Sequence, residues 1–226
     1  MTTEHEPPND LAAAPMGAAL PAAHEVAALI RAGGWPHDEL FDRFLPPRLR
    51  QASGVFWTPL VVAARAAAWF AEQGIGTVVD IGSGAGKFCV AAALGGDCRF
   101  IGLEHRQRLV TAADRLARLF QVDDRVQFIA GPLDPANAPA ADAYYLYNPF
   151  AENRFGPESQ LDADVELGEE CFQRDVTATE ALLRGAPRGT YVITYNGFGG
   201  RVPESYEKVR VDRTLPNMLR MFRKAG

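Results

Sequence analysis

The chain has 226 residues, of which 47% are apolar, so it can build one sizeable α/β domain with a helical attachment but not two full domains. Its 23 basic and 28 acidic residues give a net charge of -5, whereas proteins that bind nucleic acid usually present a basic surface, so we do not expect a nucleic-acid partner. Three cysteines and four histidines without metal-ligand spacing predict buried free thiols in a reducing cytoplasm and no metal site.

The first residues of the chain are acidic and polar rather than basic and apolar, which argues against a secretory signal. Residues 1–22 are rich in alanine and proline without clear periodicity, so we predict a disordered tail. Residues 23–57 carry short helical patterns and should form a small helical N-terminal segment that packs through Leu29, Phe41 and neighbouring apolar residues. Residues 58–226 should form the main domain. No apolar run approaches the roughly 20 residues that span a bilayer, so no membrane partner is expected.

Strands and helices alternate from Thr58 onward. Thr58 and Pro59 predict the start of a helix, with Thr58 as its side-chain cap. Gln107–Phe120 is the clearest helical pattern, with apolar residues on one face and arginines on the other. Since strands that alternate with helices pair in parallel, we predict a Rossmann-like, mostly parallel α/β sheet with helices on both faces and a C-terminal antiparallel hairpin. The predicted strands are Thr77–Ile81, Phe100–Glu104, Val126–Ala130, Tyr144–Tyr147 and Tyr191–Tyr195, followed by Tyr206–Val211 and Leu219–Phe222 in the hairpin.

A glycine-rich segment after the first strand carries the most specific chemical signal. The strand runs into Asp80, and the turn Gly82-Ser83-Gly84-Ala85-Gly86 then opens a helix near Lys87. Glycine permits a positive φ and lets a ligand lie directly against the main chain. In an open α/β sheet this turn lies at the carboxyl end of a strand, where ligands bind.

Glu104 ends the second apolar strand, about twenty residues beyond the turn. An acid at this position can accept hydrogen bonds from both ribose hydroxyls of a nucleoside. Dinucleotide-binding proteins share this geometry, but their G-x-G-x-x-G spacing differs from the G-x-G-x-G found here. Asp80 also lies close to where a pyrophosphate would have to bind, and its charge better suits the ammonium group of a methionine moiety. The pattern therefore favours S-adenosylmethionine (AdoMet) over a nicotinamide dinucleotide.

At these residues the chain resembles the class I, seven-strand, Rossmann-like family of AdoMet-dependent methyltransferases, over roughly residues 56–200. That family often has an aspartate after the third strand that contacts the adenine amino group. Here Pro132 stands at that position, so no residue is assigned to this contact. The cofactor-binding residues that the resemblance implies are Asp80, Gly82, Ser83, Gly84, Gly86 and Glu104, with His105 against the adenine.

Two further segments resemble amino-methylating families. Asn148-Pro149-Phe150 is similar to a shortened (Asp/Asn)-Pro-Pro-(Tyr/Phe) motif, which implies that Asn148 holds the acceptor nitrogen and that the ring of Phe150 packs against it. The order of motifs is also similar to that of DOT1-like lysine methyltransferases. Phe56-Trp57-Thr58-Pro59 resembles an aromatic-Thr-Pro segment, which implies that the Thr58 hydroxyl helps to bind the methionine end of the cofactor.

Together these residues predict an AdoMet-dependent methyltransferase that acts on a nitrogen of a protein side chain or of a small molecule. Alternatives stay open at this point. Thr58 can be only a helix cap, and Asn148-Pro149 can be only a strand-to-loop turn. The chain can also be a nicotinamide-dependent oxidoreductase or a non-catalytic AdoMet-binding protein.

Overall fold

A computed structural model describes residues 20–161 and 164–225, so the predicted disordered tail lies, up to residue 19, outside the described residues. The helices are α1 (Ala23–Arg31), α2 (Asp38–Asp42), α3 (Pro47–Gln51), α4 (Ser53–Phe56), α5 (Leu60–Glu72), α6 (Lys87–Leu94), α7 (Gln107–Leu119) and α8 (Glu169–Gly185), with short 3-10 helices at Ala151–Arg154 and Pro157–Ser159. The strands are β1 (Thr77–Ile81), β2 (Arg99–Glu104), β3 (Val126–Ala130), β4 (Ala143–Tyr147), β5 (Tyr191–Tyr195), β6 (Tyr206–Asp212) and β7 (Leu219–Lys224). Every predicted strand is present.

The seven strands form one sheet in the order β3-β2-β1-β4-β5-β7-β6. The first five are parallel, whereas β7 runs antiparallel to both β5 and β6. The predicted Rossmann-like sheet with a C-terminal antiparallel hairpin is therefore confirmed. Because β1 pairs with β2 on one side and β4 on the other, the strand order reverses there, and a crevice forms beyond the carboxyl ends of these strands.

The sheet carries a hydrophobic core on each face, as the predicted helices on both faces require. Alternate strand residues point to opposite faces, so Val78 belongs to the core under α5, α6 and α7 while Val79 belongs to the core under α8. The N-terminal helices join the first core, where the ring of Phe41 stacks on Phe120 with 4.6 Å between centroids. The predicted packing of Leu29 is wrong, because α1 turns Val26, Ala27 and Ile30 inward and leaves Leu29 44% exposed.

The start of α5 differs from the prediction. The helix begins at Leu60, and its first amide donates to Oδ1 of Asp38 in α2 at 2.9 Å. The Thr58 hydroxyl instead lies 3.1 Å from the hydroxyl of Tyr145 in β4. Thr58 is therefore not a helix cap, since a carboxylate from the N-terminal segment takes that role.

One stretch, Ser53–Glu72, is long and apolar enough to cross a membrane by length and composition, so the expectation that no run approaches that length is wrong. In the structure this stretch is two helices, because Trp57 leaves α4 with extended backbone angles. The second helix, α5, has 13 residues, and at about 1.5 Å per residue it is shorter than a bilayer core of about 30 Å. Its inward residues, such as Leu60 and Phe70, are buried in the domain core. The longer of the two helices, α5, is therefore a core helix of the domain.

The C-terminal end of α8 is held by a buried lysine. Lys224 of β7 donates through Nζ to the carbonyl oxygens of Leu183, Arg184 and Ala186, at 3.2, 2.5 and 2.7 Å. The last carbonyls of a helix lack partners within the helix and carry its negative partial charge, so a buried ammonium satisfies both requirements.

We predict that Lys224→Met lowers the free energy of unfolding by about 1–3 kcal/mol, because it leaves buried carbonyls without a donor. Lys208→Met, on the exposed part of β6, is the matched control and should change stability little. Denaturant unfolding measures both variants. Equal stabilities of Lys224→Met and the wild type would show that these hydrogen bonds contribute nothing net.

Candidate active site

The glycine-rich turn between β1 and α6 is hooked onto the neighbouring strand β2. The amides of Gly82 and Ser83 both donate to the carbonyl of Leu103, at 2.9 and 3.0 Å. Gly84 has a φ of +55°, and a Cβ there would lie 2.4 Å from the ring of Trp57. Gly82 has a φ of +75°, and a Cβ there would lie 2.5 Å from the side chain of Pro149. Both positions therefore require glycine for conformation and for space.

Glu104 lies against this glycine turn. The sequence analysis predicted that the turn and Glu104 belong to the same site. Its side chain is buried, with Oε2 accepting from the amide of Gly84 at 3.1 Å and Oε1 accepting from the amide of Arg106 at 2.9 Å. The carboxylate is therefore fixed between the end of β2 and the glycine turn.

Asp80 is a second buried carboxyl group at the same edge of the sheet. Burial raises the pKa of Asp80 to about 7, although the thiol of Cys89, which donates to Oδ2 at 3.4 Å, lowers the pKa and the charge of Glu104 raises it further. Among the described residues, none forms a salt bridge with this carboxyl group. A cationic group placed beside this carboxyl group would favour its ionised form.

Three cavities line the crevice at the carboxyl ends of the strands. The inner cavity lies around Asp80 and is lined by Thr58, Ser83, Lys87 and Tyr147 among others. The central cavity lies beside Asn148 and has aromatic walls of Phe56, Trp57, Tyr147 and Phe155. The β3-side cavity lies beyond Glu104 and is lined by residues from four segments: Leu103, His105, Pro132, Leu133, Phe150 and Asp175.

The three cavities are parts of one crevice, because they share walls. Gly82 lines all three, and Trp57 and Tyr147 line both the central and the inner cavity. Glu104, Arg106, Pro149 and Glu152 line both the central and the β3-side cavity. The crevice thus runs from Asp80 past Glu104 to the residues that follow β3.

Most of the predicted site residues meet in this crevice. Gly86 is the exception, since it lines none of these cavities, and its missing side chain makes room for the ring of Phe128, 2.5 Å from where a Cβ would lie. Phe150 belongs to the core under α8 and faces the β3-side cavity rather than the central cavity beside Asn148.

Asn148 combines a turn backbone with a cavity-lining side chain. It has a φ of +44°, which asparagine tolerates better than most residues, and its amide donates to the carbonyl of Gly197 at 2.9 Å. Its side chain is half-buried at the central cavity. The geometry therefore fits the turn interpretation of the backbone and leaves the amide group at the cavity wall.

Two buried polar atoms in the crevice have no hydrogen-bond partner among the described residues. They are the hydroxyl of Ser83, in the inner cavity, and Nε2 of His105, a residue of the β3-side cavity. Buried polar groups are normally paired, so both atoms indicate an unmet hydrogen bond at opposite ends of the crevice.

Sequence reasoning missed the ion pairs that hold the crevice together. Nη1 of Arg106 lies 3.0 Å from Oε2 of Glu152, and both side chains are buried between the loops after β2 and β4. The other Glu152 oxygen accepts from the amide of Leu161 at 2.7 Å. Since Arg106 and Glu152 are distant in sequence, only the strand order brings them together, and no local sequence pattern predicts the pair.

A second missed cluster ties the N-terminal helices to the glycine turn. Nζ of Lys87 lies 2.5 Å from Asp38 and 2.7 Å from Asp42, both in α2, and donates to the hydroxyl of Ser53 in α4 at 3.1 Å. Trp57 follows α4, packs on Gly84 and donates through its indole nitrogen to the carbonyl of Leu49 at 2.8 Å. The N-terminal segment is therefore a wall of the crevice.

The sequence matches no protein-family model and no curated protein, but the fold matches solved structures. An RNA methyltransferase from Salinibacter ruber in complex with S-adenosyl-L-homocysteine shares 22% identity and a TM-score of 0.52, over 74% of this chain and 92% of that one. An O-methyltransferase from Bacillus cereus in complex with SAH shares 14% identity and a TM-score of 0.57, over 88% and 97%. An O-methyltransferase from neocarzinostatin biosynthesis, with S-adenosylmethionine and 2-hydroxy-5-methyl naphthoic acid, shares 16% identity and a TM-score of 0.52, over 87% and 63%. At these identities the likeness concerns the fold.

The pKa of Asp80 predicts how stability depends on pH. Because the pKa rises from 3.8 to about 7 on folding, the folded protein retains a proton that the unfolded chain has already lost. The resulting stabilisation is complete below about pH 4 and is lost as the pH rises through about 7. We predict that Asp80→Asn removes this slope, so that the variant is more stable than the wild type at about pH 8. Denaturant unfolding across this range measures the effect, with the exposed Asp123→Asn as control, and parallel curves for wild type and Asp80→Asn would contradict it.

Proposed function

We propose that this chain, which has the fold of class I AdoMet-dependent methyltransferases, transfers a methyl group from AdoMet to an acceptor that enters the central cavity. The observation that carries the proposal is the pair of buried acidic side chains, Asp80 and Glu104, beside a glycine turn at the point where the strand order reverses. Each meets a different part of AdoMet, a cationic amino acid attached to a nucleoside.

The residues of the crevice fit this cofactor at both of its ends. Asp80 would take the ammonium group, and the Ser83 hydroxyl, which has no described partner, lies in the same cavity. Glu104 would accept from the ribose hydroxyls, as the sequence pattern implies. His105 would offer its unpaired Nε2 to the adenine in the β3-side cavity. Thr58 would contact the methionine end of the cofactor, which its position in the inner cavity supports.

The charges in the crevice disfavour a dinucleotide. A pyrophosphate binds at a helix N-terminus that follows a glycine turn, which here is the start of α6. Three carboxyl groups surround that point: Asp80 in the crevice, and Asp38 and Asp42 against Lys87. Since Asp38 and Asp42 already pair with Lys87, its charge is not left for a pyrophosphate, and Asp80 adds a further negative charge when it is ionised. The nicotinamide-dependent alternative is therefore the weaker one.

Bound AdoMet supplies a methyl group already activated on a sulfonium, so the protein has to position the acceptor and exclude water. The central cavity serves both purposes through its aromatic walls and its one carboxamide, Asn148. Tyr147 lies where the central and inner cavities meet, and burial raises the pKa of its hydroxyl, which keeps the group neutral. The amide oxygen of Asn148 would accept from an N–H of the acceptor and so orient its lone pair.

We propose a nitrogen of a protein side chain or of a small molecule as the acceptor. Support comes from the amide of Asn148 and from the ion pair that ties the cavity's arginine, Arg106, to Glu152 instead of leaving it for a phosphate. The Salinibacter ruber protein methylates RNA and the Bacillus cereus protein is an O-methyltransferase, so RNA and hydroxyl acceptors belong in the same assay. A cytoplasmic location stays a prediction.

Cofactor binding is the first test. AdoMet and S-adenosylhomocysteine should raise the melting temperature by mass action, while NAD and NADP should not. Glu104→Ala should weaken AdoMet binding by roughly ten-fold or more, as expected for hydrogen bonds to a charged group, and the exposed Glu170→Ala should leave it unchanged. Stabilisation by NAD alone would overturn the proposal. Binding of AdoMet without transfer of a labelled methyl group to any component of a lysate would favour a non-catalytic binding protein.

Asn148 is the residue that tests the acceptor side. If its amide orients the acceptor, the interaction matters mainly in the transition state, so Asn148→Ala should bind AdoMet almost normally and turn over slowly. If Asn148 is only a turn residue with a positive φ, the same change lowers the melting temperature and leaves the activity of the folded protein intact. Asn148→Gly, which keeps the turn and removes the amide, separates the two, and full activity of this variant would refute the acceptor role.

A further inference from the structure

The β3-side cavity lacks an acceptor where the class I family often has one. The loop after β3 contributes Gly131, Pro132 and Leu133 to the cavity wall, and none of their side chains accepts a hydrogen bond. The next acid, Asp134, closes its own turn by accepting from the amide of Ala136 at 2.9 Å and from the side chain of Asn137 at 2.6 Å. Asp134 is exposed and does not line the cavity, so no side chain of this loop supplies the missing acceptor.

A carboxylate from a different element reaches the same cavity. Asp175 lies in α8, is 7% exposed and lines the β3-side cavity together with His105. Its neighbours Phe172 and Val176 are buried in the core under α8, and the hydroxyl of Thr179 donates to its backbone carbonyl at 2.8 Å. Asp175 is therefore held on the inward face of a well-packed helix.

Within the described part of the chain, the side chain of Asp175 has a partner at only one of its two carboxylate oxygens. Nε of Arg174 donates to Oδ1 at 2.9 Å from a side chain that is 59% exposed. Among the described residues, no donor reaches Oδ2. A salt bridge with an exposed arginine contributes little to stability, so this pair alone does not account for a nearly buried aspartate.

We infer that Asp175 accepts a hydrogen bond from the exocyclic 6-amino group of the nucleobase and so selects adenine, an inference that rests on the proposed function. The amino group has only donors to offer, and a carboxylate has only acceptors. A 6-oxo base presents lone pairs at the same position and would be repelled by the charge of Asp175. Rejection of an analogue is strong where a buried polar group would lose its partner.

Ligand pairs that differ only at the 6-position test this assignment. We would measure by calorimetry the affinities of S-adenosylhomocysteine and of S-inosylhomocysteine, which carries an oxygen in place of the amino group. Wild type should prefer the adenosyl ligand by at least about ten-fold, the effect expected for a hydrogen bond to a charged group. Asp175→Asn should lose most of this preference, because its amide can donate to the 6-oxo group. Asp175→Glu, which keeps the charge and displaces it, should also reduce the preference.

Two controls separate selection from a structural role. Arg174→Ala removes the exposed partner and should keep the preference, and Asp134→Asn should keep it as well. Equal weakening of both ligands by Asp175→Asn, or a wild type without preference, would overturn the inference while leaving the proposed function intact. A wild type that binds neither ligand would overturn the proposed function and this inference with it.

Discussion

The carbonyl of Leu103 is the constraint on which the rest of the crevice depends. By accepting from the amides of both Gly82 and Ser83, it holds the turn after β1 against the end of β2. Glu104 is the next residue after Leu103, so the same contact between turn and strand lets its carboxylate accept from the amide of Gly84. The reversal of strand order at β1 then opens the crevice beside this turn, with the loop after β4 on its other side.

The N-terminal helices pack against the same glycine turn through Lys87 and Gly84. A lysine at the first position of α6 is unfavourable to the helix dipole, and Asp38 and Asp42 offset this by surrounding the charge. Asp38 also accepts from the first amide of α5, so one side chain links the starts of two helices. Because Trp57 is held between Leu49 and Gly84, the short helices α2, α3 and α4 shape the cavity in which the proposed acceptor binds.

Local patterns predicted the sheet and the glycine turn well, since each depends on residues close in sequence. All seven strands were predicted, because short stretches of sequence show both the burial of a strand and the turns that flank it. What failed was the choice between partners distant in sequence. The hydroxyl of Thr58 contacts the hydroxyl of Tyr145 instead of capping α5, and the carboxylate that accepts from the first amide of α5 belongs to Asp38. Sequence patterns did not place Asp175 in the site, nor did they predict the ion pair between Arg106 and Glu152. Only the fold brings α8 and the loops after β2 and β4 to one crevice.

The cost of burying Asp80 connects stability with the proposed activity. A neutral side chain there would avoid the desolvation that raises the pKa of Asp80 to about 7, and Cys89 offers only a weak compensating hydrogen bond. Local features that disfavour the free fold concentrate at functional sites, where a ligand provides the missing interaction. A cationic ligand group beside Asp80 would favour its ionised form and offset that desolvation. Ser83 and His105 share this property in another form, because each carries a buried polar atom without a partner among the described residues and each lines the same crevice.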